Sequence, residues 1–254
     1  MITRLLTFGF LLLQSLFLFS QEAKTIHILV ALCDNQYQGI VKVPKGIGNG
    51  QDPHTNLYWG CGYGIRTYFK KSASWKEVKR EKVDDIRLER IVFKHKTKNY
   101  YLVADAYDGR FISNCTIDFL KSCAGSMKDT IVINNKSIGI NGNAQLVAYI
   151  GHNGLMDFNL AETYKNSDGK KRDAIILACY SKRYFAPYLK AAGANPLLWS
   201  THLMSPEAYT IHDAIASYIN GASAAAVREA AATAYNKYQK CGIKGARGLL
   251  VTGY

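Results

Sequence analysis

Two short apolar runs, Leu146–Ile150 (LVAYI) and Ala174–Ala178 (AIILA), constrain this chain more than any other feature. Neither carries a polar side chain other than the Tyr149 hydroxyl, and both are bounded by glycine or polar residues. Runs of this length, rich in Val, Ile and Leu, read as buried strands. Strands without polar alternation suit a parallel sheet covered on both faces. Each run is closed by a reactive side chain, His152 after the first and Cys179 after the second. If the two strands are parallel neighbours, both side chains reach the same sheet edge, where open α/β sheets place their sites.

A thiol with an ordinary pKa near ~8.5 is mostly protonated at neutral pH, and the nucleophile is the thiolate. An imidazole beside it takes the proton or holds the thiolate in an ion pair. A single strand-end cysteine is more often a small buried hydrophobe, and a single loop histidine more often a polar surface group. The two together, each directly following its own strand, point to a catalytic dyad of Cys179 and His152.

The segments VAYIGHNG and AIILACYS resemble the signature of the caspase-like cysteine peptidases (clan CD: legumain, gingipain, clostripain, separase and the caspases). That signature is a hydrophobic block and His-Gly, followed by a second hydrophobic block and Ala-Cys. The match covers Gln145–Tyr180. It departs from the pattern at Asn153, which stands between His152 and Gly154, and the caspase pentapeptide around the cysteine is absent. The resemblance implies an α/β fold, a three-layer α/β/α sandwich with a mostly parallel central sheet. It implies a cysteine endopeptidase acting on a peptide or protein substrate, with no metal and no organic cofactor. Backbone N–H groups of Cys179 and of Asn153 or Gly154 would form the oxyanion hole. Trp199, Ser200 and Thr201, in the strand after the cysteine, would help bind extended substrate. The alternative is a non-catalytic peptide- or surface-binding protein of the same fold, which the Asn153 insertion keeps open.

The chain has 254 residues, 48% of them hydrophobic, enough for one domain with a proper core. Its formal net charge of +13 is spread along the sequence without a nucleic-acid motif, so nucleic acid is not an expected partner. Residues 1–23 read as a secretory signal peptide: Arg4, then apolar Leu5–Leu13 and Leu16–Phe19, with Ser20 or Ala23 as the small residue for cleavage. That predicts a secreted or periplasmic protein, with no membrane span in the mature chain. The six cysteines lie outside the leader, and an oxidising compartment allows pairing. Cys115 and Cys123 are close enough in sequence to close a small loop, and Cys33 is expected to be buried. No CxxC pair occurs, which disfavours a zinc or thioredoxin-type site.

In chain order, Ile26–Leu32 predicts the first strand, followed by a long glycine-rich loop over 34–64. A loop of that length in a compact domain is usually functional, which makes Asp34 and Asn35 candidates for one wall of a substrate cleft. Trp75–Arg90 reads, imperfectly, as an exposed amphipathic helix. A β-hairpin insertion is expected over about 91–140, with a short helix at Cys115–Ala124 inside it. After Cys179 the pattern predicts a helix over Lys182–Ala192, whose N-terminal dipole favours a thiolate. A strand at Pro196–Thr201 and helices at Pro206–Tyr218 and Ser223–Lys240 follow. His202, just past that strand, is a further site candidate. Asp157, five positions after His152, can orient an imidazole, although a turn residue is its ordinary role.

Overall fold

A computed structural model describes residues 23–254, so the expected leader, except Ala23, lies outside the described residues. The described residues form ten strands: β1 (Lys24–Ala31), β2 (Trp75–Glu81), β3 (Arg87–His95), β4 (Tyr100–Tyr107), β5 (Lys128–Ile133), β6 (Lys136–Asn141), β7 (Leu146–Ile150), β8 (Asp173–Leu177), β9 (Asn195–Ser200) and β10 (Leu250–Val251). The six helices are α1 (Ile65–Lys71), α2 (Ile112–Ala124), α3 (Ser181–Ala192), α4 (Ala208–Tyr218), α5 (Ala224–Gln239) and α6 (Ile243–Leu249). Eight strands join one sheet in the order β10-β9-β8-β7-β1-β4-β3-β2. The sheet is mixed. The run from β9 to β4 is parallel, and both edges are closed by antiparallel pairs.

The inner strands are apolar on both faces because helices cover both. Ile26, Ile28 and Val30 of β1 face one way with Leu146, Ala148 and Ile150 of β7, into a core shared with α1, α4 and α5. Leu29, Ala31, Val147 and Tyr149 face the other way, against α2 and α3. This is the two-residue period of a strand, filled with apolar side chains on each side. On the second face the rings of Phe119, Tyr149 and Phe185 meet pairwise at 5.6–6.0 Å, a cluster worth about 0.5–1.5 kcal/mol per pair beyond its buried area.

Three expectations are corrected. Trp75–Arg90 is not a helix but β2, a turn and the start of β3. Its charges belong to an edge strand, where unpaired backbone is guarded by Lys, Arg and Glu. The segment 91–140 is not an insertion as a whole: β3 and β4 are strands of the main sheet, and only β5 and β6 form a separate hairpin. That hairpin turns at Asn134 and Asn135, both at positive φ (48° and 61°), as a tight two-residue turn requires. Cys115 and Cys123 do not pair. They are eight residues apart on one helix, about 12 Å along its axis at ~1.5 Å per residue, beyond the reach of a disulfide. All six cysteines are free.

A buried polar triad fastens the hairpin to the sheet. The Asn141 N–H donates to His27 Nδ1 (3.0 Å), and His27 Nε2 donates to Asp105 Oδ2 (3.1 Å). Arg90 grips the same carboxylate with two hydrogen bonds of 2.6 and 2.7 Å. No helix among the described residues is long and apolar enough to cross a membrane.

The chain leaves β1 toward β4 on one side and returns to β7 on the other. The C-terminal ends of β1 and β7 therefore flank a topological switch point, the place where an open α/β sheet leaves a crevice.

Candidate functional site

The parallel pairing of β7 with β8 aligns Ile150 with Leu177. His152 and Cys179 each stand two residues further on, so both residues follow neighbouring strands at the carboxyl edge of the sheet. The chain reaches His152 through Gly151, whose φ of +143° disfavours any side chain, and a Cβ there would lie 2.6 Å from the Ala31 carbonyl oxygen. Gly151→Ala is therefore expected to cost about 2–3 kcal/mol of stability, read as a lowered urea midpoint with an unchanged slope.

His152 is 6% exposed, and its Nε2 donates to Asp157 Oδ2 at 2.8 Å. The same carboxylate oxygen accepts the Gly39 N–H at 3.0 Å, which ties the loop after β1 to the histidine. A side chain at Gly39 would collide with this carboxylate, its Cβ 2.4 Å from Oδ1. The His152 carbonyl accepts the Tyr149 hydroxyl at 2.7 Å. Burial pushes that phenol well above its ordinary pKa, so it remains a donor.

Asn153 is fully buried. Its Oδ1 accepts the Leu155 N–H (3.1 Å), capping a one-turn 3-10 helix, and its Nδ2 donates to the Cys179 carbonyl at 2.7 Å. The side chain that interrupts the His-Gly pair is thus a strut between the histidine loop and the cysteine turn. Gly154 follows inside that 3-10 turn.

Cys179 is half-buried and lies at a sharp strand-to-helix turn, with Tyr180 in the left-handed region (φ 50°) leading into α3. The Met204 N–H points at its sulfur, 3.4 Å away. Tyr180 N–H donates to the His202 carbonyl at 2.9 Å. Burial, with Cys33 and Cys179 adding to it, pushes the Tyr58 phenol well above its ordinary pKa. Among the described residues no hydrogen bond joins the imidazole to the sulfur; the bond at Nε2 goes to Asp157. With Nε2 donating to a carboxylate, Nδ1 is the nitrogen left for chemistry.

The other predicted residues divide. Trp199 is not at the crevice. It is fully buried, its Nε1 donates to the Gly253 carbonyl at 3.1 Å, and its ring meets Tyr254 edge-on. Ser200 is also fully buried and presents no atom at the surface. Its Oγ bonds the Ala178 carbonyl and accepts the Ser181 N–H, while Ser181 Oγ donates to the Ile176 carbonyl, bracing the turn that carries Cys179. Thr201 and His202 do reach the rim on the cysteine side, joined to each other at 2.8 Å. Asp34 and Asn35 serve the loop's own folding. Asp34 accepts the Gln36 and Tyr37 N–H groups, and Asn35 makes a two-way pair with the Val43 backbone. Both line a cavity of about 860 Å³, together with Lys42, Lys45 and Asp52. That hollow belongs to the 34–64 loop and is lined by neither His152 nor Cys179.

Sequence reasoning missed Met204, whose backbone N–H reaches the sulfur from a distant part of the chain, and assigned Asp157 its ordinary role as a turn residue. The one available signal for Asp157 was a carboxylate a short turn beyond the histidine. Among the described residues no group of three or more His, Cys, Asp or Glu side chains is arranged to hold a metal ion. Comparison with protein-family models, curated proteins and solved structures finds no match.

Proposed function

We propose that this chain is an exported cysteine endopeptidase of the caspase-like three-layer α/β/α type, working through Cys179 and His152. The observation that carries the reading is the parallel register of β7 on β8, which sets both residues at one edge of the sheet, His152 beside the switch point and Cys179 one strand further on. Cys179 Sγ, as the thiolate, attacks a peptide carbonyl and forms a C–S bond. Backbone N–H groups of Cys179 and of Asn153 or Gly154 hold the oxyanion. The C–N bond then breaks as His152 Nδ1 delivers its proton to the leaving amine. Water, deprotonated by the same nitrogen, hydrolyses the thioester, releases the carboxylate product and restores the thiolate. Asp157 keeps the ring turned with Nδ1 inward. Trp199 and Ser200 act behind the site, as core and brace.

A non-catalytic binder on the same fold has one observation in its favour, the missing imidazole–sulfur hydrogen bond. Catalytic hydrogen bonds in unliganded enzymes are often long and tighten on substrate, which is why the peptidase reading is preferred. A peptidyl acyloxymethyl ketone, which alkylates an activated thiolate, separates the two. Adduct formation at Cys179, lost in Cys179→Ala and reduced at least about a hundredfold in His152→Ala, is the expected result. Labelling that is indifferent to His152 defeats the peptidase and leaves the binder.

A further inference from the structure

The loop whose Met204 N–H points at the Cys179 sulfur also walls, through His202 and Leu203, a cavity of about 380 Å³ that Cys179 itself does not line. Its walls are His202 and Leu203 from the loop after β9, Tyr235 from α5, Cys241 from the turn after α5, and Gly245 and Gly248 from α6. None of its lining residues is Asp, Glu, Lys or Arg. On α6, Arg247 is paired with Glu229 at 2.6–2.8 Å. Tyr235 joins the cavity wall to that same loop: its hydroxyl accepts the Ser205 N–H at 3.2 Å. Leu203 is 64% exposed, a large apolar side chain left to solvent one residue from the backbone group that touches the sulfur.

We propose that this cavity receives a bulky uncharged side chain of the substrate, the residue whose carbonyl Cys179 attacks; the inference rests on the peptidase reading above. The volume is at the lower end of small-ligand pockets, roughly 300–1,000 Å³, and fits one large side chain. An aliphatic or aromatic group there covers Leu203 and gives up water on both sides. A carboxylate, ammonium or guanidinium loses its hydration and finds no opposite charge.

The test is a set of fluorogenic peptides that differ only at the residue before the scissile bond, with Leu, Met or Phe against Asp, Glu, Lys or Arg. The best uncharged peptide is expected to exceed every charged one by roughly a hundredfold or more in kcat/KM. Gly248→Glu then places a carboxylate on the wall. A Cβ at Gly248 meets nothing within 4 Å, so the fold should accept it. The variant is expected to gain at least about tenfold for Lys and Arg relative to Leu. A charged residue preferred by the unmodified protein, no preference, or an unchanged profile in Gly248→Glu overturns the assignment. The same peptides, titrated by fluorescence anisotropy into Cys179→Ala, keep the two claims apart. Selective binding of the uncharged set by a protein whose unmodified form cleaves none of them sinks the peptidase but keeps the cavity's role. Hydrolysis without the preference does the reverse.

Discussion

If the proposed peptidase reading holds, His152→Ala is expected to lower kcat/KM for peptide hydrolysis by about a thousandfold, some 4 kcal/mol of transition-state stabilisation, while the thermal midpoint moves little. The size follows from the work assigned to one nitrogen, which protonates the leaving amine and later deprotonates water. The small structural cost follows from position. His152 lies in a loop, and its ring bonds Asp157, a side chain that is itself partly exposed. Asp157→Asn is the companion measurement. Asp157 positions the imidazole and touches no substrate, so its loss is expected to be roughly tenfold to a hundredfold and to fall on kcat, with KM unchanged. A variant pair in which Asp157→Asn raises KM and spares kcat would assign the carboxylate to substrate binding instead.

Asp105→Ala destabilises the fold by about 3–5 kcal/mol, a large share of the roughly 5–15 kcal/mol that holds a domain together. It strands the Arg90 guanidinium and the His27 ring in a site where all three side chains are almost wholly excluded from water. The double variant Asp105→Leu/Arg90→Met removes the charges together and is expected to recover most of the loss. Urea unfolding of the two single variants and the pair measures this, and additive losses would show that the ion pair is not the cause. The same carboxylate sets a pH dependence. Burial acts to raise its pKa, but the Arg90 and His27 hydrogen bonds outweigh it and hold the carboxyl well below the ordinary range. A carboxyl depressed in the folded state contributes its stability in full above the unfolded value near ~3.9, and loses it as pH falls toward the lower folded value. Unfolding free energy should therefore decline below about pH 4, and less steeply in the double variant.

Leu146–Ile150 and Ala174–Ala178 were legible as strands because burial on both faces demands an unbroken apolar run. The α3 helix was legible because Phe185, Leu189 and Ala192 repeat at helical spacing and Gly193 (φ 65°) ends it. The stretch 75–90 was not legible. An edge strand needs only one buried face, and β2 buries little beyond Trp75, so its charges mimic a solvated helix. The α6 helix was missed because it has seven residues, two of them glycine, and is held by neighbours more than by its own propensity.

The same division runs through the site. A cysteine and a histidine that each terminate a buried strand are visible in the linear chain, since local pattern dictates both strand and terminus. Which strands lie side by side is a matter of long-range pairing, and only the folded sheet supplies it. Trp199 and Ser200 show the cost of lacking it. Successive strand residues point to opposite faces, so a place in a strand says nothing of orientation until the register is known. Asp157 and Asn153 make the same point in the favourable direction. Read in one dimension they are a turn residue and an interruption; folded, one orients the imidazole and the other ties the two loops together, because hydrogen bonds depend on distances in space and not on separation along the chain.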